Sequence, residues 1–317
     1  MNNHIKTLIL IASVSILTFG VPMVNMCNEF NLFADNVKGN LYYSDGANLY
    51  KYDFNSKVIC ELFSQKKAIE SNKDVSNVVY PNYLKISNKI VFIGYSGPLG
   101  THNIYESNLE MNQWTENKIL TDIKQFSISP DGDKIAYGRL KMNLTNCEDV
   151  LPKDYRYELF VVSFKMRASE SHRMVTDDYS GFGCFWQTND ILLYRDLDSN
   201  TVRCDLRTGE KRAVLEGFSP VGISNDGAML LCTKKNAIFT VMSDTYTPVL
   251  AKKINGYNGS GCIVSPDKKY FIFSKIRSFE LPVTSETKDV WIYNLNDNSE
   301  ELLIKGGGPI FGGFWIE

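Results

Sequence analysis

The chain has 317 residues, 44% of them hydrophobic and 12% aromatic, with 22% charged, a composition that can bury a large core and excludes a disordered chain. Its 34 Lys and Arg face 36 Asp and Glu, for a formal net charge of −2. No broad cationic field exists for phosphate backbones or anionic lipid, which argues against nucleic acid as a partner.

Residues 1–20 read as a secretory signal. Lys6 supplies a positive start, Leu8 to Phe19 is an uncharged apolar run, and Thr18 and Gly20 are small enough for a cut after Gly20. The run is too short to span a bilayer comfortably. An uncleaved N-terminal anchor is the alternative, and it would be the only attachment to a membrane. Lipidation of Cys27 is a third option, but Val24-Asn25-Met26 lacks the small residue expected before a lipidated Cys. A linker (21–38) and a folded domain (39–317) follow, and export places them in the periplasm or outside the cell. The seven cysteines include no CxxC pair and no Cys/His cluster, so neither metal nor cofactor is expected. Cys204 and Cys232 replace apolar residues in strand patterns and read as buried free thiols. Cys184 and Cys262 occupy matching positions in two different repeats, too far apart in a ring to be bridged.

From residue 39 one phrase returns with variations. It reads FSISPDGDKIAYG at 126–138, VGISNDGAMLLC at 221–232, CIVSPDKKYFIFS at 262–274 and, more distantly, CFWQTNDILLY at 184–194. Each is an alternating apolar strand, a tight polar turn and a second apolar strand, the grammar of a β-hairpin. A second phrase follows each: ANLYKYDF at 47–54, NIYESNLE at 103–110, ELFVVSF at 158–164, NTVRCDL at 200–206, AIFTVMS at 237–243 and DVWIYNL at 289–295. These predict six third strands, spaced 38–55 residues apart. Short fourth-strand candidates come next, such as VICELF at 58–63 and EELLIK at 300–305. Four strands per unit and six units predict an all-β chain, a six-bladed β-propeller with four-stranded blades. No helix-period stretch of useful length follows the leader.

The first unit begins with what corresponds to a second strand, and the chain closes on PIFGGFWIE at 309–317, with Trp315 matching Trp186 of the fourth unit. The C-terminal strand is therefore expected to complete the first blade and close the ring, removing the free edge.

Ser129-Pro130-Asp131-Gly132, Ser224-Asn225-Asp226-Gly227 and Ser265-Pro266-Asp267-Lys268, each followed by an apolar strand, resemble the repeats of TolB-like propellers and of the propeller in prolyl-oligopeptidase-like peptidases. The resemblance covers nearly the whole chain after the leader and implies the fold. The sequence departs from TolB in having no α/β domain between the leader and the first blade, so TolB's role in an envelope complex does not transfer.

Chemistry is sparse. Gly94-Tyr95-Ser96-Gly97-Pro98 puts Pro where a nucleophile elbow needs Gly and reads as a loop after a second strand. His102 and His172 stand alone in polar sequence and read as surface loop residues. Asp196-Leu197-Asp198-Ser199-Asn200 opens like a calcium loop, yet Thr201 and Arg207 stand where the turn Gly and closing Glu belong, so a hairpin turn is expected. Gly306 to Gly308 lack the Lys-Ser/Thr of a phosphate loop and read as an entry to the closing strand.

Two insertions lengthen the same inter-strand loop, from Lys141 to Tyr157 in the third unit and from Ile276 to Lys288 in the sixth. Loops of one class emerge on one face, and exposed aromatics with Arg are favoured at interfaces. Tyr155, Arg156, Arg277 and Phe279 are accordingly the candidate binding residues. The expected function is a non-catalytic, monomeric protein-binding scaffold with an unidentified envelope or extracellular protein as partner. The alternative is a propeller lyase or hydrolase whose residues converge at the channel mouth.

Overall fold

The computed structural model describes residues 37–317 except 71–74, 76, 97–100, 118–119, 121, 142–155, 164–171, 255–260 and 277–287. The leader and Cys27 lie outside the described residues. Those described belong to one compact unit, Asn31–Glu317, made of six four-stranded antiparallel sheets. From the axis outwards, blade I is β24 (Gly313–Ile316), β1 (Asn40–Ser44), β2 (Leu49–Asp53) and β3 (Val58–Phe63). Blade II is β4 (Val79–Leu84), β5 (Lys89–Ser96), β6 (Thr101–Ser107) and β7 (Trp114–Asn117). Blade III is β8 (Ile123–Ile128), β9 (Lys134–Leu140), β10 (Tyr157–Ser163) and β11 (Arg173–Tyr179). Blade IV is β12 (Cys184–Trp186), β13 (Ile191–Arg195), β14 (Thr201–Asp205) and β15 (Lys211–Leu215). Blade V is β16 (Ser219–Ile223), β17 (Met229–Lys234), β18 (Ala237–Met242) and β19 (Pro248–Lys253). Blade VI is β20 (Ile263–Val264), β21 (Tyr270–Ile276), β22 (Lys288–Asn294) and β23 (Glu300–Ile304). Each innermost strand touches the next, and β20 returns to β24. The structure is a six-bladed β-propeller. All six predicted third strands occupy the third position of their blades, and one short helix, α1 (Gln65–Glu70), links blades I and II.

The repeated turn phrase works through its side chains. In blade III the Ser129 hydroxyl donates to Asp131 Oδ1 (2.5 Å) and accepts the Lys134 N–H (2.9 Å), so one serine ties both ends of the turn. Ser224 with Asp226 and Met229, and Ser265 with Asp267 and Tyr270, repeat it in blades V and VI. The same turns bridge blades, because Lys134 pairs with Asp190 (2.7 Å) and Lys268 with Asp226 (2.5 Å). Burial pulls the Asp226 carboxyl up, but the Lys268 and Ser224 hydrogen bonds outweigh it and hold its pKa at about 2.

Apolar packing follows the seams. Among the described residues six clusters of buried side chains occur, one between each pair of neighbouring blades. The seam between blades IV and V has the smallest of them, with Leu193, Leu215, Leu230, Cys232 and Val241. The seam between VI and I includes Trp315, stacked on Phe54 at 4.4 Å between ring centroids, and Ile310. The closing strand pairs with β1 from Asn40↔Ile316 to Tyr43↔Gly313, so both terminal segments of the domain share blade I. Cys184, Cys204 and Cys232 are buried free thiols, and Cys262 is buried outside any disulfide; burial pushes the Cys232 pKa up to about 12 and raises those of Cys184 and Cys204.

Three local expectations need correction. Gly94 to Ser96 do not form a loop but end β5, with Tyr95 opposite His102 and Ser96 opposite Thr101. Gly94 is there for space, since a Cβ would sit 2.9 Å from both the Tyr105 ring and Val75. His102 is a strand residue of β6, and burial, with nearby Lys124, lowers its pKa. His172 is not a plain surface residue either: its Nδ1 is hydrogen-bonded to the Tyr137 hydroxyl and its ring packs edge-on to that tyrosine.

Candidate functional site

Because strands alternate in direction, each blade sends its connection between second and third strands to one face of the ring, together with the crossover to the next blade. The turn between first and second strands lies on the other face. The six innermost strands surround one cavity of about 1540 Å³. On the crossover face its wall includes Phe182, Arg195, Ser199, Lys234, Lys235 and Phe311; on the turn face it includes Lys85, Asn225 and Glu317.

The two phenylalanines belong to one recurring device. Phe182-Gly183-Cys184-Phe185-Trp186 enters blade IV and Phe311-Gly312-Gly313-Phe314-Trp315 enters blade I, three blades away. Gly183 and Gly312 have φ of +69° and +99°, and a Cβ would lie 2.7 Å from the Pro220 carbonyl oxygen or 2.9 Å from Tyr80 Cα, backbone of the following blade in each case. Only glycine permits that approach. The Gly183 carbonyl accepts the Arg195 N–H (3.0 Å), and the Gly312 carbonyl accepts the Ser44 N–H (3.1 Å). The phenyl rings that precede these glycines stay 44% and 41% exposed, at positions half a ring apart on the same face.

The loops beside them are matched as well. Asp45 and Asp196 accept the N–H groups of Asn48 (2.7 Å) and Asn200 (2.7 Å) and the Nδ2 groups of the same asparagines. Asn48 and Asn200 then accept, on Oδ1, the N–H of Gln65 (2.9 Å) and Gly217 (2.8 Å). The calcium-like string at 196–200 is thus a hairpin turn, as expected, with its first carboxylate engaged by Asn200.

Arg195 is half-buried. Its Nη2 donates to the Ser199 hydroxyl (2.7 Å), and its Nε is buried without a protein acceptor. Lys234 lies over the Phe218 ring at 4.4 Å and donates to the Glu216 carbonyl oxygen (3.1 Å). Among the described residues none of Arg195, Lys234 and Lys235 forms an ion pair with a carboxylate. Among the described lining residues there is no histidine, and Glu317 is the one acidic side chain. No group of three His, Cys, Asp or Glu side chains among the described residues is placed to hold a metal ion.

Of the four residues singled out in the sequence, Arg156 precedes β10, is exposed, and accepts the Lys141 N–H on its carbonyl (2.8 Å). Tyr155, Arg277 and Phe279 lie outside the described residues. The stems of both insertions, β9 with β10 and β21 with β22, open on the crossover face. The sequence reading missed Phe182, Phe311, Arg195 and Lys235. The signal in the sequence for the two phenylalanines is the repeated Phe-Gly-x-Phe-Trp, which extends the Trp315–Trp186 match by four residues.

Among solved structures, TolB from Acinetobacter baumannii is similar with a TM-score of 0.63 and 12% identity, over 87% of this chain and 65% of that one. The fold is that of a TolB-like propeller. The chain spans about two thirds of that TolB chain's length. A nidogen/laminin complex is similar with a TM-score of 0.58 and 9% identity, over 87% of this chain and 97% of that one. An oligogalacturonate lyase in complex with manganese is similar with a TM-score of 0.51 and 11% identity, over 81% and 70%. No protein-family model matches the sequence, and neither does any curated protein. At such identities the likeness concerns the fold alone.

Proposed function

We propose that this chain is an exported, non-catalytic propeller of the cell envelope that binds another protein at the crossover face of its channel. The observation that carries the reading is the chemistry of the channel wall. It encloses about 1540 Å³ and ends in two exposed phenyl rings, and its described lining residues include no histidine and one acidic side chain, Glu317. General acid–base chemistry usually draws on histidine clustered with carboxylates, and the described lining residues contain no such cluster. Exposed aromatic and Arg side chains on a rigid scaffold are what protein interfaces use. The described stems of the two insertions open on the same face, which supports keeping Tyr155, Arg156, Arg277 and Phe279 as candidate contacts of the same partner. The apolar leader supports export, to the periplasm or beyond.

The test is affinity capture from the envelope fraction with three baits: the native chain, a Phe182→Asp/Phe311→Asp variant, and an Ala replacement of Tyr155, Arg156, Arg277 and Phe279. A partner held by the native chain and lost with the first variant is the expected result. Equal capture by all three removes this face from the proposal.

A further inference from the structure

We infer that the channel mouth between blades IV and V is a carboxylate-binding notch, and that its occupant is an extended acidic peptide segment. The inference rests on the reading of the channel as a protein-binding site and names the chemistry of what it binds.

The first argument is positional. The last residue of the second strand in each blade is Ser44, Ser96, Leu140, Arg195, Lys234 and Ile276, each closing the ladder to the third strand. In four blades that second-strand residue is uncharged, so the fold does not require a charge at this position. The two that carry a cation are neighbours, and both cations line the channel at the seam with the smallest apolar cluster. Lys235 adds a third at φ +55°, in a hairpin tip where Asn or Gly is the cheaper choice.

The second argument is charge. The chain carries −2 overall, yet among the described residues its channel wall holds Lys85, Arg195, Lys234 and Lys235 against Glu317 alone. Asp196, the carboxylate next to Arg195, is occupied by Asn200. Unpaired cations on the wall of a concave site attract an anion, and a guanidinium recognises a carboxylate through paired N–H donors.

The third argument is shape and donor type. About 1540 Å³ exceeds the roughly 300–1000 Å³ of small-ligand pockets, and a cavity bounded by all six inner strands follows the ring axis, which suits a linear occupant. The charged groups of the mouth are donors only, and its exposed rings are phenyl. Cationic donors beside exposed phenyl rings suit a peptide that carries both acidic and apolar side chains.

The experiment uses the full chain and fluorescence anisotropy with short labelled peptides of alternating Glu and Phe, Gln and Phe, or Lys and Phe, with an unlabelled galacturonate oligomer as competitor. The Glu peptide is expected to bind at least about tenfold more tightly than the Gln peptide, with a preference that falls as salt rises. Arg195→Gln is expected to remove most of that preference, and Lys235→Gln, at an exposed tip, part of it, both with unchanged thermal unfolding. Three results overturn the inference: Glu and Gln peptides binding equally, a preference that survives both substitutions, or a galacturonate oligomer that binds with Arg195 dependence while the peptides do not. Equal binding of both peptides that Phe182→Asp abolishes would remove the charge preference and leave the protein-binding reading standing.

Discussion

Blades I and IV are built on one plan and put to different use. Both enter through Phe-Gly-x-Phe-Trp, both brace the following loop with an Asp–Asn pair, and both end the third strand on an Asp that accepts two turn N–H groups. They differ at the last ladder position. Ser44 is 0% exposed and spends its hydroxyl on the Val78 carbonyl, whereas Arg195 reaches the channel with no carboxylate partner among the described residues. A shared framework with one divergent residue separates what the fold needs from what it can spare for binding.

The largest expected effect comes from removing residues 309–317. Blade I alone takes its inner strand from the far end of the domain, and the truncation deletes Trp315, 1% exposed. Loss of one buried Trp or Phe side chain costs about 3–5 kcal/mol, and here β1 loses its ladder partner as well. No cooperative thermal transition should survive in circular dichroism, and a fully stable truncated chain would mean the ring is not closed this way. The reciprocal exchange at the divergent position comes next. Ser44→Arg buries an unpaired charge and should cost at least about 3 kcal/mol, whereas Arg195→Ser should stay within about 0.5 kcal/mol in urea titrations. Equal costs would show that both positions serve the fold. Asn48→Ala and Asn200→Ala each remove a loop brace and should cost about 1–2 kcal/mol, a matched pair that differs only if the two loops are not equivalent.

The smallest effect is in acid. Turn N–H donors, from Asn55 at Asp53 and from Thr208 at Asp205, hold both carboxyls below the usual value of 3.8. A depressed folded-state pKa means their stabilisation is complete above about pH 4 and is lost as pH falls through the folded value. Asp53→Asn and Asp205→Asn should therefore destabilise slightly at neutral pH, by an amount that shrinks as the pH falls through the folded value, in both blades alike.

The architecture was readable because each blade repeats a local rule. Ser-x-Asp turns and period-two strands announce hairpins wherever they occur, and the missing inner strand before Asn40 points to the spare strand ending in Trp315-Ile316. Blade II was harder: Tyr83 to Asn88 carries no Ser-x-Asp turn, so its first hairpin was not picked out. The placement of His102 failed because a polar neighbourhood was taken for a loop, when β6 begins there. The mouth was the least legible part. Arg195, Lys234 and Phe311 lie far apart in sequence, and only the ring brings them to one opening. Nothing in a linear reading marks Arg195 as different from any strand-end arginine until the other five blades are laid beside it.

The most direct test of this division between shared framework and divergent site is hydrogen–deuterium exchange with and without the Glu–Phe peptide. The account predicts slowed exchange at 182–186, 195–201 and 233–237, and unchanged exchange at the matching blade I segment, 44–50. Protection spread evenly over both blades, or confined to blade I, would contradict it.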